Sequence, residues 1–178
     1  MKNNTKRIAL IAMFVAVMTI CSWISIPLTV PITLQTFAVF VTCGVLGGCD
    51  GTIAVCTYIM LGILGLPVFS GFTGGPAKLL GPTGGYIVGF ILTALIMWLI
   101  NRIAGDKLYI LSISMVIGLI ICYAFGTAWF VLVYTGDNNT DIITVLSMCV
   151  VPFIIPDIIK IILATVVTKS LRRLNIPT

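Results

Sequence analysis

The sequence contains 178 residues, of which 60% are apolar and 8% are charged. Soluble domains are about 45–50% apolar and about 25% charged, so this chain lacks the polar surface of a water-soluble protein. The composition therefore predicts an integral membrane protein. Its ionisable side chains include ten Lys or Arg and five Asp, but neither Glu nor His. Histidine general bases, His-rich metal sites, Ser-His-Asp triads and paired glutamates are therefore excluded.

Six apolar segments follow one another along the chain, and each predicts a membrane-spanning helix. They cover residues 7–26, 33–49, 52–66, 83–103, 108–134 and 142–170, the last with a break inside it. The first segment is too long for the hydrophobic region of a signal peptide, so we keep it as a helix. The prediction is an all-α integral membrane protein, a compact bundle of six helices forming a single domain over residues 1–178.

The basic residues predict how this bundle is oriented. If the N-terminus is cytoplasmic, the outer side holds Lys78 and the inner side holds Lys2, Lys6, Arg7, Arg102, Lys107, Lys169, Arg172 and Arg173. This bias follows the positive-inside rule, so both termini are expected in the cytoplasm, with residues 27–32, 67–82 and 135–141 outside. Because the charges sit at the ends of apolar segments, we expect the lipid bilayer as a partner and no nucleic acid.

The third connection is long, rich in glycine and apolar. Aqueous loops of this length are normally polar, so we expect this one to fold back over the bundle as a lid or wall for a ligand bound from outside. A structural re-entrant loop without a ligand is the alternative.

Asp157 and Lys160 are the most informative polar residues. They are flanked by isoleucine and lie three residues apart, hence on one face of a helix. A charge inside the hydrocarbon layer costs at least about 2.5–3.5 kcal/mol and marks a candidate functional site. Pro156 favours the first position of the last helix, which would place Asp157 and free backbone N–H groups at its opening. The alternative is an ion pair that only fixes helix packing.

Other candidate ligand contacts lie near the predicted outer side. Tyr86 and Phe69 are candidate aromatic walls, although an interfacial aromatic belt is the commoner use of such residues. Gln35 and Thr83 offer hydrogen bonds, and Lys78 offers a positive charge. No cofactor or metal is expected, since the six cysteines form no C-x-x-C pair and the glycine-rich stretch at 81–85 lacks the Lys-Ser/Thr of a P-loop.

Small residues recur at four-residue spacing on three predicted helices. The pairs are Ala12 and Ala16, Gly44 and Gly48, and Gly85 and Gly89. Such pairs let helices approach closely. Packing inside the bundle is favoured over a partner interface.

The sequence resembles the BioY family, the biotin-specific substrate-binding subunits of energy-coupling factor (ECF) vitamin transporters. Four motifs carry the resemblance: IPLTVPITLQT at 26–36, GILGLPVF at 62–69 with Gly74-Gly75, GPTGGY at 81–86 leading to Gly89-Phe90, and Pro156-Asp157 with Lys160. They run from the first loop to the last helix. The sequence departs from the family pattern at Ile155, where Pro-Gly-Asp is usual before the last helix, and at Phe72, where glycine is common.

The resemblance implies six helices and a biotin pocket near the outer face of a prokaryotic cytoplasmic membrane, with the first and third loops closing it. It implies that Asp157 and Lys160 anchor biotin, and that Ala12 and Ala16 dock to a transmembrane coupling protein. Two separate ATPase subunits would supply the energy. Two alternatives stay open, a solitary proton-coupled or facilitative carrier and a subunit for another vitamin. An enzyme is not expected, because only Lys160 and scattered Thr, Tyr or Ser residues are available as a second catalytic group beside Asp157.

Overall fold

The computed structural model describes residues 2–28, 30–135 and 142–173. Its helices are α1 Lys2–Trp23, α2 Gln35–Leu46, α3 Gly48–Ile63, α4 Pro76–Leu80, α5 Gly84–Ala104, α6 Leu108–Phe130, α7 Ile142–Cys149 and α8 Val151–Arg173. A π-helical turn, Val131–Thr135, extends α6, and two strands, β1 Ser25–Ile26 and β2 Ile32–Thr33, lie between α1 and α2. All but the first residue of the predicted turn 135–141 lies outside the described residues.

The predicted all-α membrane architecture is confirmed. Within the described residues, four helical stretches are long and apolar enough to cross a membrane: Asn4–Trp23, Gly84–Ala104, Leu108–Val133 and Thr144–Arg173. Helices α2 and α3 are also apolar but have 12 and 16 residues. At 1.5 Å per residue they are about 18 and 24 Å long, shorter than a hydrocarbon layer of about 30 Å. The number of spans therefore stays a prediction.

Helix α2 lies inside the bundle. It packs against α1, α3, α5 and α8, while α5 and α6 form the most extensive helix pair. Ten of its 12 residues are buried, as expected for a helix that is apolar all round. A polar side chain in the first turn of α2 therefore lies in the interior of the bundle, as Gln35 does.

The two ends of the bundle are held together differently. At the end that carries most Lys and Arg, here named the basic end, Arg7 bonds both carboxylate oxygens of Asp50. Arg172 pairs with Asp106 at 2.9 Å and also donates from Nε to the Gly44 carbonyl at 2.8 Å. At the opposite end, here named the hairpin end, β1 and β2 pair antiparallel. The first loop is thus a small hairpin, which helical periodicity did not indicate.

The third connection folds back into the bundle, as predicted. Val68 and Phe69 are buried, and the Gly62 carbonyl accepts from the N–H of Gly75 at 2.7 Å. It also contains the short helix α4, which the sequence prediction missed. Pro76 begins that helix, where its missing N–H costs no helical bond.

The prediction that Pro156 opens the last helix is wrong. Helix α8 begins at Val151, so the break in the last apolar segment falls at Val150 and Pro156 lies inside the helix. Pro152 occupies the first turn, where a proline is tolerated for the reason assigned to Pro156. Asp157 therefore lies within the helix, with no free N–H groups of a helix start beside it.

The small-residue pairs divide into two groups. Gly44 packs against Thr168, and Gly89 packs against Cys122, so internal packing is confirmed there. Internal packing is wrong for Ala12 and Ala16, because both alanines are exposed on the outer face of α1. The four-residue spacing is the same in all these pairs. Whether a pair packs inside the bundle or is exposed depends on the direction in which its helix face points.

Candidate functional site

A cavity opens between the helices in the half of the bundle nearer the hairpin end. Its lining comes from the first loop, the third loop and helices α2, α5, α6, α7 and α8: Val30, Pro31, Thr33, Gln35, Thr36, Ser70, Thr83, Tyr86, Ile87, Phe90, Leu119, Cys122, Tyr123, Cys149, Phe153, Asp157 and Lys160. Ten of these 17 residues are apolar or aromatic, counting the cysteines, and seven are polar or charged. Such lining is typical of small-molecule sites.

The charged pair lies in this cavity. Lys160 donates from Nζ to Asp157 Oδ1 at 2.6 Å, and the Tyr123 hydroxyl donates to Oδ2. Asp157 is 2% exposed and Lys160 is 5% exposed. Among the described lining residues they alone carry charge. Each carboxylate oxygen therefore already has one donor.

The pair retains hydrogen-bonding capacity for a ligand. An ammonium group has three N–H donors and a carboxylate has about four lone-pair positions. The Lys160–Asp157 bond uses one ammonium N–H and one lone-pair position of the carboxylate, and the Tyr123 hydroxyl uses a second lone-pair position. The remaining positions can donate to a carbonyl or carboxylate and accept from N–H groups. Hydrogen bonds to ionised groups are also the stronger ones.

Gln35 is held in the cavity wall by a buried chain of hydrogen bonds. Its Nε2 donates to the Tyr58 hydroxyl at 2.7 Å, and that hydroxyl donates to the Val68 carbonyl at 2.8 Å. Ser22 donates to the same carbonyl at 2.6 Å. The chain links α1, α2 and α3 to the third loop. It fixes the Gln35 amide at the point where α2 meets the cavity.

Tyr86 and Thr83 also line the cavity, at the start of α5. The Tyr86 hydroxyl is 3.1 Å from Thr127 Oγ1 on α6, and the Tyr86 N–H donates to the Thr83 carbonyl at 3.2 Å. The structure thus brings together Asp157, Lys160, Tyr86, Thr83 and Gln35 from the predicted set.

Phe69 and Lys78 lie elsewhere. Phe69 is fully buried, its ring meeting Tyr58 edge-on with centroids 5.7 Å apart, and it packs over Gly62. Lys78 lines a separate groove at the surface of the hairpin end. That groove shares Pro31, Ser70 and Thr83 with the cavity, so Lys78 lies beside the cavity rather than in it.

Tyr123 and Ser70 are cavity residues that the sequence prediction missed. Tyr123 stands in the middle of an apolar segment, and a buried tyrosine hydroxyl usually has a polar partner. The need of this hydroxyl for a polar partner could have linked Tyr123 to Asp157, the one acidic residue inside a predicted span. Ser70 offered no comparable signal, since a serine between two glycine-rich turns is common in loops.

Comparison with known proteins identifies a family to which the chain is similar. The BioY family model matches residues 1–176. A biotin transporter BioY of Thermotoga maritima is 44% identical over 164 residues, covering 92% of this chain and 94% of its own length. A probable biotin transporter BioY of Pyrococcus horikoshii is 39% identical, covering 95% of this chain and 98% of its own length.

A solved structure agrees with these relatives. The crystal structure of the S-component for biotin from an ECF-type ABC transporter superposes with a TM-score of 0.86 at 29% identity, covering 97% of this chain and 93% of that one. The relatives are transporters, a non-enzymatic class. The resemblance noted in the sequence motifs is thus confirmed over nearly the whole chain, and the protein belongs to the BioY family.

Proposed function

We propose that this chain captures biotin from outside the cell as the substrate-binding subunit of an ECF-type transporter. The observation that carries the proposal is the buried Asp157–Lys160 pair, which lines the cavity, in a chain whose relatives are named biotin transporters. We further propose six spans in a prokaryotic cytoplasmic membrane, with both termini cytoplasmic. The hairpin end would then face outward.

The functional groups of biotin match the chemistry of the side chains that line the cavity. Its ureido ring has two N–H donors and one carbonyl, its fused ring and chain are apolar, and its chain ends in a carboxylate. Asp157 can accept from ureido N–H groups, and Lys160 can donate to the carbonyl or the carboxylate. Ile87, Phe90 and Leu119 supply apolar wall for the ring and chain. We assign no cofactor beside the transported vitamin.

Entry of a ligand requires the cavity to enlarge. The cavity has a volume of about 60 Å³, whereas small-molecule sites are about 300–1,000 Å³. The first and third loops contribute Pro31 and Ser70 at the hairpin end of the cavity. Outward movement of these loops is the step that admits biotin.

Equilibrium binding to the purified chain tests the proposal. We expect biotin to bind and to raise the unfolding temperature, since a ligand that binds only the folded state stabilises it. Thiamine and riboflavin at the same concentrations are the controls, because neither has a carboxylate or a urea group with two N–H donors. A titration by calorimetry in which biotin gives no heat and no thermal shift contradicts the proposal, and binding of a control vitamin instead would reassign the substrate.

The coupling partners are proposed to dock on the exposed alanines of α1. Replacing Ala12 or Ala16 by tryptophan is expected to leave biotin affinity unchanged and to block both co-purification with a coupling complex and ATP-driven uptake, because a bulky ring prevents close helix approach. Ala128→Trp, at an exposed alanine on α6, is the matched control. Undiminished uptake by the α1 variants, or uptake by the chain alone in vesicles, would favour a solitary carrier.

A further inference from the structure

Phe72 occupies an unusual backbone conformation at the tip of the third loop. Its φ is 57°, and no other non-glycine residue in the described ranges has a positive φ. A bulky side chain is strained in this left-handed region, and such strain persists only where surrounding contacts hold the residue in place. Phe72 as a whole is 65% exposed, so burial does not explain its position.

Contacts with α1 hold the loop tip. The Phe72 ring stacks on Trp23, with centroids 4.8 Å apart and planes inclined by 29°. The Trp23 indole N–H also donates to the Pro67 carbonyl at 2.8 Å, so Trp23 contacts the third loop at two residues. Stacked aromatic pairs contribute beyond the area they bury. The stack therefore opposes the backbone strain.

The loop tip also forms part of the cavity wall. Phe69 and Thr73 exchange backbone hydrogen bonds at 2.9 and 3.4 Å, which makes residues 69–73 one tight turn. Ser70 in this turn lines the cavity, while Phe72 points away from it onto Trp23. The turn cannot lift away from the cavity without separating the two rings.

We propose that Trp23 and Phe72 form an aromatic latch that holds the third loop over the bound ligand and sets how long the ligand stays. Phe72 is a positioning residue, because it does not line the cavity and acts through Ser70, which does. The inference rests on the proposed function for its ligand. The latch itself is a property of the free chain and can be tested without biotin.

Dissociation kinetics provide the first test. Phe72→Ala removes the stack and keeps the strain, so biotin dissociation should accelerate about two- to tenfold, the equivalent of one aromatic pair. Phe72→Gly also relieves the strain and should accelerate it less, whereas Phe72→Tyr keeps the ring and should match the parent. Association should be unchanged or faster, since the loop opens more easily. A damaged site would also accelerate dissociation, so the double-mutant cycle with Trp23 is needed to assign the effect to the stack.

A double-mutant cycle isolates the pair. Trp23→Ala combined with Phe72→Ala should be little worse than Trp23→Ala alone, because the second ring has lost its partner. Leu80→Ala, an exposed apolar residue of α4, is the control and should dissociate like the parent. Additive effects in the cycle, or parent-like dissociation of Phe72→Ala, would overturn the latch.

Hydrogen–deuterium exchange of the ligand-free chain separates this inference from the proposed function. Phe72→Ala should speed exchange of the Phe69 and Thr73 amides severalfold, because the turn opens more often. Unchanged exchange there would overturn the latch. If the parent binds no biotin but the variant still exchanges faster, the latch stands and the proposed substrate fails.

Discussion

Lys160→Met is expected to lower the free energy of unfolding by about 3–5 kcal/mol, the usual cost of leaving one partner of a buried ion pair uncompensated. Among the residues that the structure describes, the Tyr123 hydroxyl would then be the one donor left to Asp157. Biotin affinity should fall by at least about 1.5 kcal/mol, roughly tenfold, as for the loss of a charged hydrogen bond. Thermal unfolding in detergent and calorimetric titration measure the two effects.

The double variant Asp157→Asn with Lys160→Met separates the two roles of this pair. It removes both charges and leaves a side-chain amide oxygen in place of the carboxylate to accept from Tyr123. Stability should therefore recover most of the loss seen in Lys160→Met, because replacing a whole buried pair is far less costly than breaking it. Biotin binding should stay lost. Parent-like binding by the double variant would make the pair purely structural, and a double variant as unstable as Lys160→Met would show that the charges are not coupled.

Gly84→Ala is expected to disrupt the packing of α4 against the start of α5. A Cβ at this position would lie 1.6 Å from the Leu79 carbonyl oxygen and 2.4 Å from its carbonyl carbon. These are backbone atoms, so the two helices must move apart, and overpacking of this kind costs about 1–3 kcal/mol. Thr83 and Tyr86, on either side of this glycine, line the cavity, so biotin affinity should fall together with the unfolding temperature.

Gly81→Ala is the matched control for Gly84→Ala. Its Cβ would have its nearest neighbours at 3.4 Å, an ordinary contact, and its φ of −81° suits any residue. The same substitution three residues earlier should therefore leave the unfolding temperature close to that of the parent. If both variants behave alike, the close approach of α4 and α5 is not what the glycine serves.

Much of the helical framework could be predicted from hydropathy alone. Residues 83–103 were predicted as a helix that the structure has as Gly84–Ala104, and the start of α6 was predicted at residue 108, where it lies. The last segment was harder, because Pro152 and Pro156 both suit the first turn of a helix. The local sequence contains no signal that chooses between them.

The sequence by itself determined the class of protein and identified the charged pair of its candidate site. Hydrophobicity and the scarcity of charge are properties of the chain that need no folding, so they predicted a membrane protein and singled out Asp157 and Lys160. Tertiary structure decided which apolar faces turn inward. It exposed Ala12 while burying Gly44, and it brought Tyr123 to Asp157. Because lipid is as apolar as the protein core, a membrane helix has little amphipathic pattern to mark its inner face. Only the packing of the helices against one another fixes that face.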